Sequence, residues 1–239
     1  LVLRGDPPAH VTGNLLLDLL CGAEIRWSGS RASDEVLEEV FQQAWDAGRR
    51  PYKIVYGASS PVGALGYVTA MGELMQPAMP FDRIVVASSS AGTQAGMIVG
   101  ARRHGYAGRI TGVSVDKEAP ALRQSVADLA AQTASLLGME GEFRAEEVEV
   151  VDDYVGEGYA VLGPREIEAT RLFARLEGLL LDPVYTAKAA AGMVDMVNRG
   201  AIARDERVLF WHTGGGPALF AYGEQLLGEL PASFKLAGS

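Results

Sequence analysis

The sequence is poor in the residues and runs that commit a chain to metal binding, nucleic acid or a membrane. A single cysteine, Cys21, stands among its 239 residues. An internal disulfide is therefore impossible, and a reducing, cytoplasmic location is the expectation. Cys21 closes an apolar helical run, where a buried structural thiol is expected. His10, His104 and His212 are scattered without ligand spacing, so no metal site is expected. The formal net charge is −9, and basic residues cluster no further than Arg49-Arg50 and Arg102-Arg103. An acidic chain gains nothing from a phosphate backbone, which argues against nucleic acid as a partner. No apolar run approaches the ~18 residues of a membrane span. No basic-plus-apolar segment opens the sequence as given. A Walker loop, a Gly-x-Gly-x-x-Gly fingerprint and a Gly-x-Ser-x-Gly elbow are all missing, which disfavours a Rossmann dehydrogenase among other classes.

What remains is an ordinary globular composition, 48% hydrophobic and 21% charged, with a regular alternation. Short runs rich in Val and Ile are predicted as strands at 1–3, 23–27, 53–57, 83–88, 109–115, 147–151 and 207–211. Segments of helical period lie between most of them, at 11–21, 34–47, 62–75, 94–104, 120–137, 165–177 and 186–199. Alternation at this spacing predicts an α/β fold with parallel strands. The run 83–88 is almost wholly apolar, as suits a strand covered on both faces. Ser33-Asp34 reads as a helix N-cap, Pro120 and Pro164 as helix starts, and Gly48 and Gly200 as helix ends. A shift at Arg49-Arg50-Pro51 suggests a smaller lobe over 1–52 and a larger one over 53–239.

Four strand-turn-helix stretches carry candidate chemistry. In Ile84–Met97 a strand ends in Ser88-Ser89-Ser90-Ala91-Gly92-Thr93 and a helix follows. Small residues let a backbone approach a ligand, and N–H groups at a helix start make an anion site. A tight turn with a Ser/Thr cap explains the same residues equally well. His212-Thr213-Gly214-Gly215-Gly216-Pro217 follows another strand, at the edge where open α/β sheets bind ligands; a flexible loop is the alternative. His212 by itself reads better as a hydrogen-bonded core residue than as a base. Gly57–Tyr67 repeats the strand, small turn, helix pattern. Leu181–Lys188 places Tyr185 and Thr186 at a helix start behind Asp182-Pro183.

Taken together, TGNLLLDLLCGAEIRW (12–27), PYKIVYGASSPVGALGYV (51–68), SSSAGTQAGM (88–97), RLEGLLLDPVYTAKAAAGM (175–193) and VLFWHTGGGPALFAY (208–222) resemble the D-cysteine desulfhydrase and 1-aminocyclopropane-1-carboxylate (ACC) deaminase family. The resemblance implies the fold type II, tryptophan-synthase-β-like architecture, pyridoxal 5'-phosphate as cofactor, a small amino acid as substrate and a homodimer. It puts the cofactor-phosphate loop on Ser89, Ser90, Ala91, Gly92 and Thr93, the residue facing the pyridine nitrogen on Thr186, and glycine-loop contacts on Thr213 and Gly214. The two active-site tyrosines fall on Tyr185 and Tyr159.

ACC deaminases carry a glutamate where this sequence has Thr186. A hydroxyl cannot supply the charge that favours a protonated ring nitrogen, so the resemblance implies α,β-elimination. D-cysteine going to pyruvate, sulfide and ammonia is the favoured reaction, with L-cysteate or a similar amino acid as a variant. ACC deamination is the alternative, and a non-catalytic cofactor-binding protein is the rival of another class. The family's Schiff-base lysine lies in a Gly-Asn-Lys segment, followed by a Ser-Asn loop for the substrate carboxylate. Neither motif occurs here, and Lys53, Lys117, Lys188 and Lys235 do not match the position. The expectation is a sequence that begins partway through the small domain, does not turn over by itself and tends to associate.

Overall fold

A computed structural model describes residues 1–76 and 81–228. It divides into two compact units, Leu1–Val55 and Tyr56–Ser239. In the first, strands β1 (Val2–Leu3) and β2 (Arg26–Trp27) pair in parallel, with Val2 opposite Arg26. Helices α1 (Gly13–Leu20) and α2 (Ser33–Asp46) complete it. Ser33 is the first residue of α2 and not its cap; Ala32 holds that place, and the Ser33 hydroxyl is buried without a partner. Of α1 only Gly13 is buried, and Leu16, Leu17, Leu19 and Leu20 are exposed. Cys21 follows this open helix, so the expected buried thiol is exposed.

The second unit is built on four parallel strands in the order β5-β4-β3-β6, namely β3 (Arg83–Ser88), β4 (Arg109–Ser114), β5 (Val150–Val151) and β6 (Val208–Trp211). The run 53–57, predicted as a strand, joins no ladder. A strand without a neighbour leaves its backbone groups unpaired. Here the chain turns through a 3₁₀ segment, Tyr56–Ala58, with Gly57 and Ala58 at positive φ.

Side-chain alternation explains the layers. Ile84 and Val86 pack with Met71 and Met97 of α3 (Pro61–Leu74) and α4 (Gly92–His104). Val85 and Ala87 face the opposite way, onto Ala189 and Met196 of α7 (Thr186–Asn198). β3 is thus buried on both faces, as its continuous apolar run requires. α5 (Ala119–Leu136) adds Leu122, Val126 and Ala130 beside α4, and α6 (Pro164–Glu177) packs Ala169 against Ala187 and Ala190 of α7. Close approach of α3 to α4 needs glycine: a Cβ at Gly96 would meet the Ala64 carbonyl at 2.3 Å. The short helix α8 (Gly223–Leu227) follows a 3₁₀ segment at Gly216–Tyr222. No helix among the described residues is long and apolar enough to cross a membrane.

The strand order fixes where a ligand can bind. The chain runs outward from β3 to β4 to β5, then returns to the other side of β3 with β6. The order reverses between β3 and β6, and the crevice at such a switch point lies at the strands' C-terminal ends. Their N-terminal ends are tied by charge. Buried Arg83 donates to Glu206 at 2.8 Å, to Glu149 at 2.7 Å and to Thr111 at 2.9 Å. Glu149 also pairs with Arg109 at 2.7 Å.

Burial pushes the Glu149 carboxyl up, but the bonds from Thr111 and Arg109 and the Arg83 charge outweigh it and leave its pKa lowered. The bond from Arg83 holds Glu206 low as well. A carboxylate with a depressed folded-state pKa stabilises above its unfolded value, and that stability is lost as pH falls through the folded value. Thermal melts should therefore drop steeply below the ordinary carboxylate range. E206Q should cost about 2 kcal/mol at neutral pH, less than a wholly buried pair because Glu206 is partly solvated, and should flatten the acid limb. An unchanged acid limb in E206Q would show that Arg83 does not tie the strands through this pair.

Candidate active site

A cleft of about 300 Å³ opens at the switch point. Its lining includes Gly57, Tyr67, the stretch Ala87–Thr93, Asp182, Tyr185 and Thr213–Gly215. The floor is the turn from β3 into α4. Ala91 caps α4 with φ +75°, the left-handed region that a residue with a Cβ rarely adopts. Such local strain costs of order 1–3 kcal/mol and persists where the surroundings enforce it. Ala91, Gly92 and Thr93 line the cleft at the start of α4, and a helix's first N–H groups have no intrahelical acceptor. Gly92 N–H donates to Ser59 Oγ at 3.1 Å, and Ser59 Oγ donates to Ser90 Oγ at 2.7 Å. Ser89 Oγ donates to Asp116 at 2.9 Å. The Ser88 hydroxyl, also on the cleft wall, is buried without a partner.

The opposite wall is the start of α7. Asp182 is 2% exposed. One carboxylate oxygen accepts from the N–H groups of Val184 and Tyr185, both at 2.9 Å. The other accepts from the Thr186 N–H and hydroxyl, both at 2.7 Å. Asp182 thus satisfies the N–H groups leading into α7, with Tyr185 at the cap position. The Thr186 hydroxyl in turn accepts from the Asp182 N–H at 2.7 Å. Gly215, at φ +92°, closes over this carboxylate; a Cβ there would meet Asp182 Cβ at 2.6 Å.

Of the residues singled out by sequence, the cleft brings together Ser89, Ser90, Ala91, Gly92, Thr93, Tyr185, Thr213 and Gly214. Tyr159 adjoins it through a 2.6 Å hydroxyl contact with Tyr185, their rings edge to face. Thr186 is wholly buried behind Asp182 and does not line the cleft. His212 has both ring nitrogens on backbone groups, at Leu180 O and Gly214 N–H. Ser88 and Gly215 line the cleft within the two small-residue turns that the sequence marks, whereas Asp182 and Tyr67 line it with no site role expected of them. Asp182 carries a usable signal, an acidic residue four positions before a helix; Tyr67 carries none that separates it from a packed aromatic.

A family profile described as pyridoxal-phosphate dependent enzyme matches residues 4–214. A 1-aminocyclopropane-1-carboxylate deaminase of Burkholderia multivorans is 39% identical over 91% of this chain and 67% of its own length. A Pyrococcus horikoshii protein, provisionally named for the same enzyme, is 38% identical over 96% of this chain and 70% of its own length. A crystal structure of an ACC deaminase homologue superposes with a TM-score of 0.85 at 37% identity, covering 95% of this chain and 68% of that one. The chain belongs to the pyridoxal-phosphate-dependent enzyme family. Maize serine racemase, at 16% identity and a TM-score of 0.55 over 94% of this chain and 68% of its own, shares the fold alone.

The cleft fits the cofactor's phosphate. It offers hydroxyls and helix-start N–H groups without a carboxylate among Ser88–Thr93, and its unpartnered Ser88 hydroxyl can donate. No lysine lines the cleft among the described residues. Lys53 pairs with Glu38, Lys188 is buried against backbone carbonyls, and Lys235 lies outside the described residues.

Gly92 sets the depth of the cradle, because a Cβ there would meet Ser59 Oγ at 2.7 Å. G92A should displace Ser59 and weaken pyridoxal phosphate at least tenfold, roughly 1.4 kcal/mol, in equilibrium dialysis. Unchanged affinity would place the phosphate elsewhere.

Proposed function

We propose that these residues serve the deamination of ACC, with its ring opened and water taken up to give 2-oxobutyrate and ammonia. One juxtaposition carries the reading: Tyr185 lines the same cleft as the anion cradle and touches Tyr159. The names of the relatives favour ACC over cysteine. Pyridoxal phosphate, when bound, supplies the electron sink at the substrate's Cα. Ser89, Ser90 and Thr93, with the N–H groups of Ala91 and Gly92, would hold its phosphate, and Thr213 and Gly214 would contact the rest of it.

The tyrosines divide the proton work. Burial raises both phenols; the bond between them raises Tyr185 further and brings Tyr159 partly back down. Either hydroxyl can donate in this pair; with Tyr185 donating, Tyr159 is the phenol that yields its proton more readily. Tyr159 delivers a proton to the substrate, and Tyr185 steadies the oxygen left behind.

A threonine at 186 in place of a carboxylate favours the second reading, D-cysteine going to pyruvate, sulfide and ammonia. Asp182 offsets that preference. Thr186 is buried behind Asp182, and the Asp182 carboxylate lines the cleft in its place, so the wall still presents an acidic group. A homodimer and a cytoplasmic location belong to the same proposal and rest on the family resemblance.

Reduced phosphopyridoxyl conjugates of the two amino acids test the choice, because their binding needs no lysine. The ACC conjugate should bind at least about tenfold more tightly than the D-cysteine conjugate, by calorimetry. The reverse order would favour desulfhydration, and no binding of either would contradict both readings.

A further inference from the structure

Lys188 has no part in the chemistry above, yet its side chain is wholly buried. Among the described residues no carboxylate lies within ion-pair distance of it, and its ammonium is met by the carbonyls of Val155 and, at 2.7 Å, Gly158. Burial lowers its pKa, while Glu166 and Asp116 act in the other direction. An ammonium so placed is expensive to bury, and an apolar side chain of the same length would be easier to accommodate. Its presence calls for a use other than packing.

The geometry points to Lys188 as a positioning residue that holds the segment 152–163 so that Tyr159 meets Tyr185. Three observations converge. First, Tyr185 and Lys188 are three residues apart at the start of α7 and share one side of it. Second, the carbonyl that Lys188 holds belongs to Gly158, the residue next to Tyr159. Third, the segment has little order of its own. Gly156, Gly158 and Ala160 sit at positive φ, and its turn hydrogen bonds, Gly158 N to Val155 O and Val161 N to Gly158 O, are long at 3.3 and 3.4 Å. Its other anchors come from outside the turn: Ala119 N–H to Asp152 at 2.6 Å, Tyr154 to Asp195 at 2.6 Å, Tyr222 to Ala160 O at 2.9 Å and Gly163 N–H to Glu166 at 2.9 Å. None of these grips the peptide between Gly158 and Tyr159 from the α7 start.

The value of this placement for catalysis rests on the proposed roles of Tyr159 and Tyr185; the placement itself does not. It is read without substrate or cofactor, by NMR on the chain with labelled tyrosine and lysine. In the wild type the Lys188 ammonium protons should exchange slowly and show cross-peaks to Gly156 and Gly158, and the two tyrosine rings should show a cross-peak to each other. K188M should keep the thermal melt close to wild type, abolish the ring cross-peak, and exchange the amides of 155–161 at least about tenfold faster. M196A, which trims a buried residue farther along α7, should lower the melt and keep the ring cross-peak, separating placement from general stability. A K188M protein that keeps both the ring cross-peak and its slow amides overturns the proposal. So does an M196A protein in which the ring cross-peak vanishes just as it does in K188M. Should K188M fail to fold, a wild-type Lys188 ammonium with no cross-peak to Gly156 or Gly158 overturns it as well.

Discussion

β3 is buried on both faces from Arg83 to Ser88, so its polar work is done at its two ends. At the start, one arginine gathers carboxylates from the approaches to β5 and β6 and a threonine from β4. At the finish, the chain has no room for large side chains and must enter α4 at once. It does so through small residues and a left-handed Ala91. The same burial that demands an apolar strand thus yields a turn made of hydroxyls and backbone N–H groups, and such a turn takes anions. The strand order sets β6 beside β3, which brings Thr213–Gly215 to the same crevice.

α7 supplies the other half of the cleft, and Asp182 organises it. A single carboxylate satisfies the N–H groups of Val184, Tyr185 and Thr186 and the Thr186 hydroxyl. That bonding fixes the Tyr185 backbone and holds the carboxylate at the wall of the cleft. Gly215 is required for it, since any side chain there would collide with Asp182. Capping, charge placement and loop approach are here one arrangement, and a change to any member disturbs the rest.

Much of this is legible in the sequence where period and composition agree. The long helices and the strands β3, β4 and β6 follow from alternation of apolar runs, and the small-residue turn after β3, a candidate anion site in the sequence, lines the cleft. The run 53–57 has the composition of a strand but no neighbour to pair with, a tertiary fact that composition cannot carry. An apolar helix before Cys21 implies a buried thiol, but α1 leaves that apolar side exposed. Thr186, expected at the cleft, lies one bond behind it. Asp182, which the sequence marks only as a constraint on the backbone before Pro183, takes the wall itself. Lys188 has the sequence setting of an ordinary helix lysine; only the fold of 155–158 around it shows its burial.

The decisive measurement is a crystal structure of this chain soaked with pyridoxal phosphate. The phosphate is expected within hydrogen-bonding distance of the Ser89–Thr93 turn, with the ring between Tyr185 and the Thr213–Gly215 loop. A phosphate bound away from the start of α4, with the turn unchanged, would contradict that placement.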